Sequence, residues 1–251
     1  MAFEADIGVV IPAYQPDLQR LNEYVEDLYQ VLDPSVVRVE IDDPPPRYIN
    51  SLRQNTDTVG VSADRRGKGG AIMSGFDTLD TDILLFADAD GSTPATSLVD
   101  IAQQVHDGTS DVSIGSRRHP SSQIVKHQTV IRRILGDGFA FVARQLLPTR
   151  CHDYQCGAKA VSAEAWEEIR HHCYEPGFAW DLEFVSVAGS LGYDIVEVPI
   201  KWDDHPNSTV DPLATSVELL TALIDVRRRT KAIANSPQYR NIQRTERSEM
   251  S

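Results

Sequence analysis

Apolar residues follow two rhythms over the first 115 positions of the chain. Short apolar runs predict strands at 7–11, 36–41, 58–62, 82–87 and 111–115. Between these runs, apolar residues recur three or four positions apart, which predicts helices at 18–32, 47–54, 68–79 and 95–105. Strands that alternate with helices build a mainly parallel sheet with helices on its faces. The pattern therefore predicts a Rossmann-like α/β fold, in which Pro12 closes the first strand.

The second half of the chain has a less regular pattern. It predicts one or two helices over 124–147, a strand or loop at 158–161, and a strand at 195–200. Further helices are predicted at 163–169, 180–191 and 212–234. Because no repeat, low-complexity tract or clean linker interrupts the chain, we expect a single domain over 1–230 and a basic, flexible tail over 231–251.

Charge and composition exclude several classes of protein. The formal net charge of −13 argues against a dedicated nucleic-acid binder, which usually presents a basic face. The acidic balance and the scarcity of lysine suit a salt-rich cytoplasm. The N-terminus lacks the features of a signal peptide, and no apolar run approaches the length of a spanning helix. Three cysteines without CxxC spacing are expected to be reduced thiols, so we expect a cytoplasmic protein.

The last 25 residues carry the opposite charge to the rest of the chain. Residues 227–251 hold seven basic and two acidic groups. Basic groups near an anionic bilayer contribute on the order of 1 kcal/mol each to binding. The tail therefore predicts peripheral contact with a membrane surface, and a membrane-protein partner would suit the same location. The alternative is a solvated chain end.

The segment FADADGSTP, residues 86–94, places two carboxylates directly after a buried strand. Asp88 and Asp90 are two positions apart, so their side chains point the same way from an extended backbone. Mg²⁺ or Mn²⁺ is often held by one or two carboxylates together with substrate phosphates. A metal site is therefore predicted here, and a plain strand-ending turn is the alternative.

Other strand ends supply polar groups to the same edge of the predicted sheet. These groups are Pro12-Ala13-Tyr14, Asp42-Asp43 and Arg117-Arg118. Ligands of open α/β sheets bind outside the carboxyl ends of the strands. We therefore expect these groups to converge on one ligand site together with the two aspartates.

The order of the motifs resembles family 2 glycosyltransferases, and within them the dolichyl-phosphate mannose or glucose synthases. The matching blocks are VVIPAYQ, RRGKGGAIMSGF, FADADGSTP, IGSRR, DYQCGAKA, WDLEF and GYDIVEVPIKW, spread over about residues 7–230. The resemblance implies a GT-A type fold, a nucleotide-diphosphate sugar donor, a divalent metal and inversion at the sugar carbon. A single DxD motif is weak evidence, but seven blocks in the right order are not.

The resemblance also implies roles for residues around the donor. The nucleotide-binding residues would be Pro12, Ala13, Tyr14, Asp42, Asp64 and Lys68. Asp88 and Asp90 would bind the metal, and Asp90 is the surer ligand. After Asp42 the family's D-D-G-S becomes Asp42-Asp43-Pro44-Pro45-Pro46, which leaves the nucleobase open. The Gly67–Gly70 turn is either an anion site at a helix N-terminus or tight packing of a helix on a strand.

Acceptor binding is implied for a set of basic residues. Arg117 and at least one of Arg132 or Arg133 would bind the acceptor phosphate, since guanidinium groups match phosphate geometry. Asp153 and Gln155 would shape the sugar site, although Asp153 could equally be structural. Residues 202–210 fall where relatives have a mobile loop, but the family's cation is replaced by Thr209.

Asp181, near the start of a predicted apolar helix, would be the catalytic base-like or sugar-orienting carboxylate. A phosphate acceptor is already largely ionised at neutral pH, since its second pKa is about 6, so a general base is not required. A hydroxyl acceptor would need one.

Together these features predict transfer of a hexose from a UDP-glucose or GDP-mannose type donor to dolichyl or polyprenyl phosphate, for protein or cell-surface glycosylation. The wording DADGST is closer to the UDP-glucose users. The expected location is the cytosolic face of a membrane. Two alternatives stay open: the same fold acting on a soluble or glycan acceptor, and a non-catalytic nucleotide-sugar binding module.

Overall fold

A computed structural model describes the backbone of residues 3–126, 130–203 and 212–236, and their side chains except those of 126–135 and 212–217. The strands are β1 (Ile7–Tyr14), β2 (Val36–Asp42), β3 (Thr58–Ser62), β4 (Ile83–Ala87), β5 (Val112–Ser116), β6 (Gln123–Lys126), β7 (Ala158–Ser162), β8 (Ile195–Pro199) and β9 (Lys201–Asp203). The α-helices are α1 (Leu18–Val31), α2 (Pro46–Asn55), α3 (Lys68–Phe76), α4 (Ala95–His106), α5 (Val130–Leu146), α6 (Ala163–Ile169), α7 (Trp180–Leu191) and α8 (Pro212–Asn235).

Seven strands form the main sheet, in the order β3-β2-β1-β4-β7-β5-β8. Neighbours are parallel except around β7, which runs antiparallel to both β4 and β5. The predicted mainly parallel α/β sheet is therefore confirmed. From β1 the chain builds β2 and β3 on one side and then returns to place β4 on the other. The boundary between β1 and β4 is thus a topological switch point, where such sheets open a crevice for ligands.

Pro12 does not close the first strand, contrary to the expectation from sequence. β1 continues to Tyr14 and pairs with β2 as far as Asp42. Its pairing with β4 stops at Val10, opposite Phe86. Among the described strands, none pairs with this edge of β1 beyond Val10, and a residue without an N–H group is tolerated there.

Two apolar cores lie on the two faces of the sheet, and alternate residues of each strand face each one. Val9 and Ile11 of β1 belong to the core that α1 and α4 cover. Val10, between them, belongs to the core that α3, α6 and α7 cover. Helix α7 is apolar nearly all round, and its side chains are buried almost throughout. This burial fixes the first turn of α7, which carries Asp181 close to the sheet.

Two predicted helices are shorter than expected. Residues 123–126 form β6, which pairs with β9 through Ile124 and Trp202, and α5 begins only at Val130. Local periodicity cannot show this pairing, because the partner strand is far along the chain. Helix α3 ends at Phe76 rather than at position 79, because the N–H groups of Thr78 and Leu79 donate to carbonyls only three positions back, those of Gly75 and Phe76, at 3.1 and 3.2 Å. Within the described residues, we find no helix that is both long and apolar enough to span a bilayer.

Candidate functional site

A cleft of about 540 Å³ opens at the carboxyl ends of β1, β2 and β4, at the switch point of the sheet. This volume is within the range of small-molecule sites. One wall comes from the strand ends and the segment 65–68, and the other from the segment 176–178 and Glu218 of α8. The predicted site residues that line it are Pro12, Ala13, Tyr14, Asp42, Lys68, Asp88 and Asp90. Sequence reasoning therefore located this edge of the sheet.

The backbone of Asp88 is anchored to Gly157, and the lack of a side chain on that glycine makes room for the Asp88 carboxylate. Its N–H donates to the Gly157 carbonyl at 2.9 Å, at the end of the β4–β7 pair. A Cβ atom on Gly157 would lie only 1.7 Å from Asp88 Oδ2. The Asp88 side chain keeps 42% of its surface exposed. Gly157 therefore makes the room that lets this carboxylate stand beside the sheet and still face the cleft.

Asp90 is exposed, and a turn fixes its orientation. Its Oδ1 accepts a 2.9 Å hydrogen bond from the Ser92 N–H. Gly91 adopts a φ of +63°, and a Cβ atom there would lie 3.3 Å from the Tyr24 ring. Among the described residues no three His, Cys, Asp or Glu side chains form a complete metal cage. Two carboxylates beside a cleft nevertheless suit Mg²⁺ or Mn²⁺, provided that substrate phosphates supply the remaining ligands.

Asp88 is joined to a buried cluster of charges. Lys68 Nζ lies 2.8 Å from Asp88 Oδ1 and 2.8 Å from Asp181 Oδ2. The other oxygen of Asp181 contacts Lys159, and both Asp181 and Lys159 have 1% exposed side chains. Burial tends to raise the pKa of Asp181, but the charges of Lys159 and Lys68 lower it below its ordinary value. A buried carboxylate with a lowered pKa is a poor proton acceptor, so this arrangement does not favour Asp181 as a general base.

Partial burial has the opposite outcome at Asp88. Burial is the largest influence on its pKa and raises it. Lys68 acts to lower the pKa, Asp90 acts to raise it, and the net result is a pKa above the ordinary value. At Lys68 burial acts to lower the pKa, but the Asp181 and Asp88 charges raise it well above its ordinary value. Lys68 is therefore a fixed cation beside the carboxylate that the sequence assigns to a metal.

Asp42 is already engaged by the protein. It is 2% exposed and accepts from Arg66 Nε at 2.8 Å and from the Gly67 N–H at 3.1 Å. Arg66 Nη1 also donates to Glu40 at 2.7 Å, and Arg38 contacts the same buried carboxylate at 2.5 Å. Asp42 therefore fixes the start of the glycine-rich turn, and Arg66 is the charged side chain beside it in the cleft wall.

The glycine-rich turn packs against protein rather than presenting its N–H groups to an anion. The N–H of Gly70 donates to the Pro176 carbonyl at 3.0 Å, and that of Gly69 to the Gly177 carbonyl at 3.3 Å. Gly67 has a φ of +84°, and a Cβ there would lie 2.5 Å from the Pro176 oxygen. Of the two interpretations open from sequence, this geometry favours tight packing.

Arg117 lies at the end of β5 and outside the residues that line the cleft. Its Nε and Nη2 donate to the two oxygens of Asp153 at 2.7 and 2.8 Å. Arg118 also donates to Asp153, at 2.9 Å, and to Asp137 of α5 at 3.0 Å. The Arg117 guanidinium lies 5.6 Å from the centre of the Trp202 ring. Asp153, with no exposed surface, therefore orients two guanidinium groups at the edge of the sheet.

This environment decides between the two interpretations of Asp153. Burial acts to raise its pKa, but Arg117, and Arg118 after it, hold the pKa well below its ordinary value. Its carboxylate is completely enclosed, which favours the structural role over direct contact with sugar hydroxyls. Gln155 lies two positions further along the chain and is half-buried, and its buried Nε2 atom has no hydrogen-bond partner among the described residues.

The remaining predicted residues lie elsewhere. Asp64 is exposed and outside the cleft lining, and its backbone bonds to Ser62. Arg132 and Arg133 fall within α5, but their side chains are outside the described part of the chain. The predicted loop lies outside it as well, beyond Asp203 as far as position 211. The roles of all these residues remain predictions.

Sequence reasoning missed several residues that shape the site. Arg65 lies in the cleft wall with its guanidinium 4.2 Å from the centre of the Tyr14 ring, next to Arg66. The RRG sequence before the turn was the available signal. Lys159 was recognisable as a lone charge inside the apolar strand AKAV. The partner of Arg118 could not be found, because Asp153 lies 35 positions away along the chain.

Alignments with curated relatives cover most of this chain at moderate sequence identity. Glycosyltransferase AglD of Haloferax volcanii is 29% identical over 216 residues, which cover 82% of this chain and 34% of that protein. The dolichyl-phosphate beta-glucosyltransferase of Dictyostelium discoideum is 26% identical over 241 residues, 88% of this chain and 73% of that protein. The enzyme of the same name from Saccharomyces cerevisiae is 28% identical over 66% of this chain. The chain spans about a third of the first protein and about half of the yeast one.

Solved structures support the same fold. Glucosyl-3-phosphoglycerate synthase from Mycobacterium tuberculosis, in complex with Mg²⁺ and uridine diphosphate, superposes with a TM-score of 0.69. The match covers 89% of this chain and 79% of that one at 15% identity, so it concerns the fold alone. The family model for glycosyl transferase family 2 matches residues 9–170, which is more than half of the sequence. The chain belongs to glycosyl transferase family 2.

Proposed function

We propose that the protein is an inverting, metal-dependent hexosyltransferase that moves a sugar from a nucleotide-diphosphate donor to a polyprenyl or dolichyl phosphate. The observation that carries this proposal is the pair Asp88 and Asp90, presented to a cleft at the switch point of the sheet. The relatives named as dolichyl-phosphate beta-glucosyltransferases support the acceptor class, and they favour glucose as the transferred sugar.

In this proposal each part of the donor is assigned to a part of the cleft. The nucleotide would lie along the end of β1, between Tyr14 and the wall that holds Arg65 and Arg66. The diphosphate would lie toward Asp88 and Asp90, which would hold Mg²⁺ or Mn²⁺ against it. The metal would offset the charge that develops on the leaving diphosphate.

The acceptor would approach from the side of β5. There Arg117 and Arg118, which Asp153 orients, present two guanidinium groups at the edge of a strongly acidic protein. An ionised phosphate oxygen of the acceptor attacks the anomeric carbon, and the bond from that carbon to the donor diphosphate breaks. The products are the polyprenyl-phosphate sugar and a nucleoside diphosphate. No proton has to be removed, which agrees with the ion-paired state of Asp181.

Release of nucleoside diphosphate tests this proposal. UDP-glucose and GDP-mannose are each incubated with the protein, with Mn²⁺ or a chelator, and with polyprenyl phosphate, unphosphorylated polyprenol or no acceptor. We expect release that needs both the metal and the phosphate of the lipid, and that is faster with UDP-glucose. Equal release with all three acceptor conditions would indicate hydrolysis or another acceptor. Donor binding without any release would indicate a binding module.

We further propose peripheral attachment to the cytosolic face of a membrane, through the basic end of the chain. Helix α8 continues to Asn235, past the predicted domain boundary, and Ile233 packs into the core. Arg228 and Lys231 lie exposed on this last part of the helix. The folded domain therefore extends a few residues into the basic segment, so a test of attachment combines a truncation after position 236 with substitution of Arg228 and Lys231.

A further inference from the structure

Lys68 forms an ion pair with Asp88, one of the two carboxylates that we assign to the metal. Its Nζ lies 2.8 Å from Asp88 Oδ1, and its side chain is only 10% exposed. An ammonium group and a divalent cation repel each other, so both cannot approach one carboxylate oxygen closely. We propose that Lys68 is the resident counter-charge of Asp88 in the donor-free protein, and that binding of metal and nucleotide moves its ammonium group from Asp88 to the donor diphosphate. This inference rests on the proposed function.

A second carboxylate keeps Lys68 in place during the exchange. Asp181 Oδ2 lies 2.8 Å from Lys68 Nζ, and the Asp181 side chain is only 1% exposed. When Asp88 releases Lys68, the ammonium group therefore retains one anionic partner. Lys68 also lines the cleft at the first position of α3, and its flexible four-carbon stem allows a small displacement toward a bound phosphate.

Lys159 has a positioning role in this arrangement. Its ammonium group contacts the other oxygen of Asp181 and donates to the Cys156 carbonyl at 2.6 Å. The cluster of Lys68, Lys159, Asp88 and Asp181 is formally neutral. A divalent cation bound alone adds two positive charges beside Lys68, whereas a cation bound together with a diphosphate does not. The cluster therefore predicts weak metal binding without nucleotide and much stronger binding with it.

The test is a calorimetric titration of Mn²⁺ into nucleotide-free protein, repeated with saturating UDP and with saturating GDP. Lys68→Met removes the competing charge, so we expect Mn²⁺ alone to bind about tenfold more tightly than to the wild type. The increase in Mn²⁺ affinity caused by the nucleotide should be correspondingly smaller. Lys68→Arg keeps the charge and should behave as the wild type. Lys201→Met is the matched control, because Lys201 is exposed on β9 and outside the cleft lining.

Near-ultraviolet circular dichroism shows whether each variant folds. If Lys68→Met does not, Lys68→Gln also removes the positive charge, keeps a hydrogen-bond donor near the carboxylates and leaves Lys159 paired with Asp181, so it carries the same expectation. Equal or weaker Mn²⁺ binding by the folded variant, with nucleotide-dependent binding intact in the wild type, overturns this inference alone. Absence of Mn²⁺ binding from every protein, even with nucleotide, overturns the proposed metal site and this inference with it.

Discussion

Replacement of Asp153 by asparagine should destabilise the protein strongly, although the two side chains have nearly the same shape. The Asp153 carboxylate has no exposed surface and accepts from Arg117 Nε, Arg117 Nη2 and Arg118 Nη1 at 2.7–2.9 Å. The backbone N–H of Arg117 adds a fourth hydrogen bond at 3.0 Å. An asparagine retains one acceptor oxygen and turns an N–H₂ group toward donors.

The size of the effect follows from burial. Removal of one partner from a buried ion pair costs about 3–5 kcal/mol, because the other charge is left uncompensated. Here the Arg117 and Arg118 side chains keep 20% and 24% of their surface exposed, so water partly compensates them. We therefore expect Asp153→Asn to lower the free energy of unfolding by about 3 kcal/mol. In a protein of this size that corresponds to a fall of about 6–12 °C in Tm.

Asp137→Asn is the matched control. Asp137 contacts Arg118 at 3.0 Å, but its side chain is 54% exposed. Exposed pairs contribute about 0–1 kcal/mol, so the same chemical change should have little effect at this position. Urea denaturation of the wild type and both variants, at one fixed salt concentration, gives the three free energies of unfolding. A loss for Asp153→Asn no larger than that for Asp137→Asn would refute the reasoning.

The pH dependence gives a second check with a definite sign. The folded pKa of Asp153 is lowered, and in the unfolded chain an aspartate titrates at about 3.9. The stabilisation by its charge is therefore fully present above about pH 5 and declines as the pH falls below about 4. The difference in unfolding free energy between wild type and Asp153→Asn should thus be constant from pH 5 to 7.5 and smaller at pH 3.5. A difference that grows toward acid would contradict the ion-pair account.

Three further changes test the site and the chain end. Asp90→Ala should reduce turnover at least about 100-fold by weakening the metal site, with a fall of only about 2–4 °C in Tm, because Asp90 is exposed and the change removes one hydrogen bond, from the Ser92 N–H; an active variant would contradict the metal hypothesis. Gly157→Ala should displace Asp88 and lower Mn²⁺ affinity in the presence of nucleotide. Gly138→Ala should not, because a Cβ atom at Gly138 meets no other atom within 4 Å. Equal Mn²⁺ affinities for the two variants would count against the role of Gly157 in making room for Asp88. Deletion of 237–251 combined with Arg228→Ser and Lys231→Ser, which together remove five basic groups, should weaken binding to anionic vesicles, more so at low salt; unchanged binding would end the tether hypothesis.

Much of the fold could be predicted because many of its strands and helices follow from apolar spacing within a short stretch of sequence. The buried strands β1 and β4 are short apolar runs, and α1 begins at an Asp17 cap and shows its buried face as Leu21, Val25 and Leu28. The elements that were missed or misjudged depend on distant partners. Strand β6 exists only through its pairing with β9, and the extension of β1 past Pro12 depends on where β4 ends.

The site was predicted in position but not in its internal contacts. Strand ends and the family resemblance place Asp42, Asp88 and Asp90 at one edge of the sheet, and the structure agrees. What the sequence could not show is the partner of each carboxylate. Arg66 lies 24 positions from Asp42, and Lys159 lies 22 positions from Asp181. These pairs form because the packing of α3 and α7 on the sheet brings the side chains together.

Burial separates the aspartates that resemble one another in sequence. Asp42, Asp153 and Asp181 are each buried beside arginine or lysine, and a buried charge is tolerated only with such compensation. Because each is already ion-paired with the protein, this arrangement favours a role in orienting cations over direct contact with a ligand. Asp90 is exposed and available to a ligand. Asp88 combines both conditions, because it is paired with Lys68 and still 42% exposed. It is therefore the carboxylate at which a ligand can exchange with the protein's own charge, and the effects of substitutions on donor binding should be largest around it.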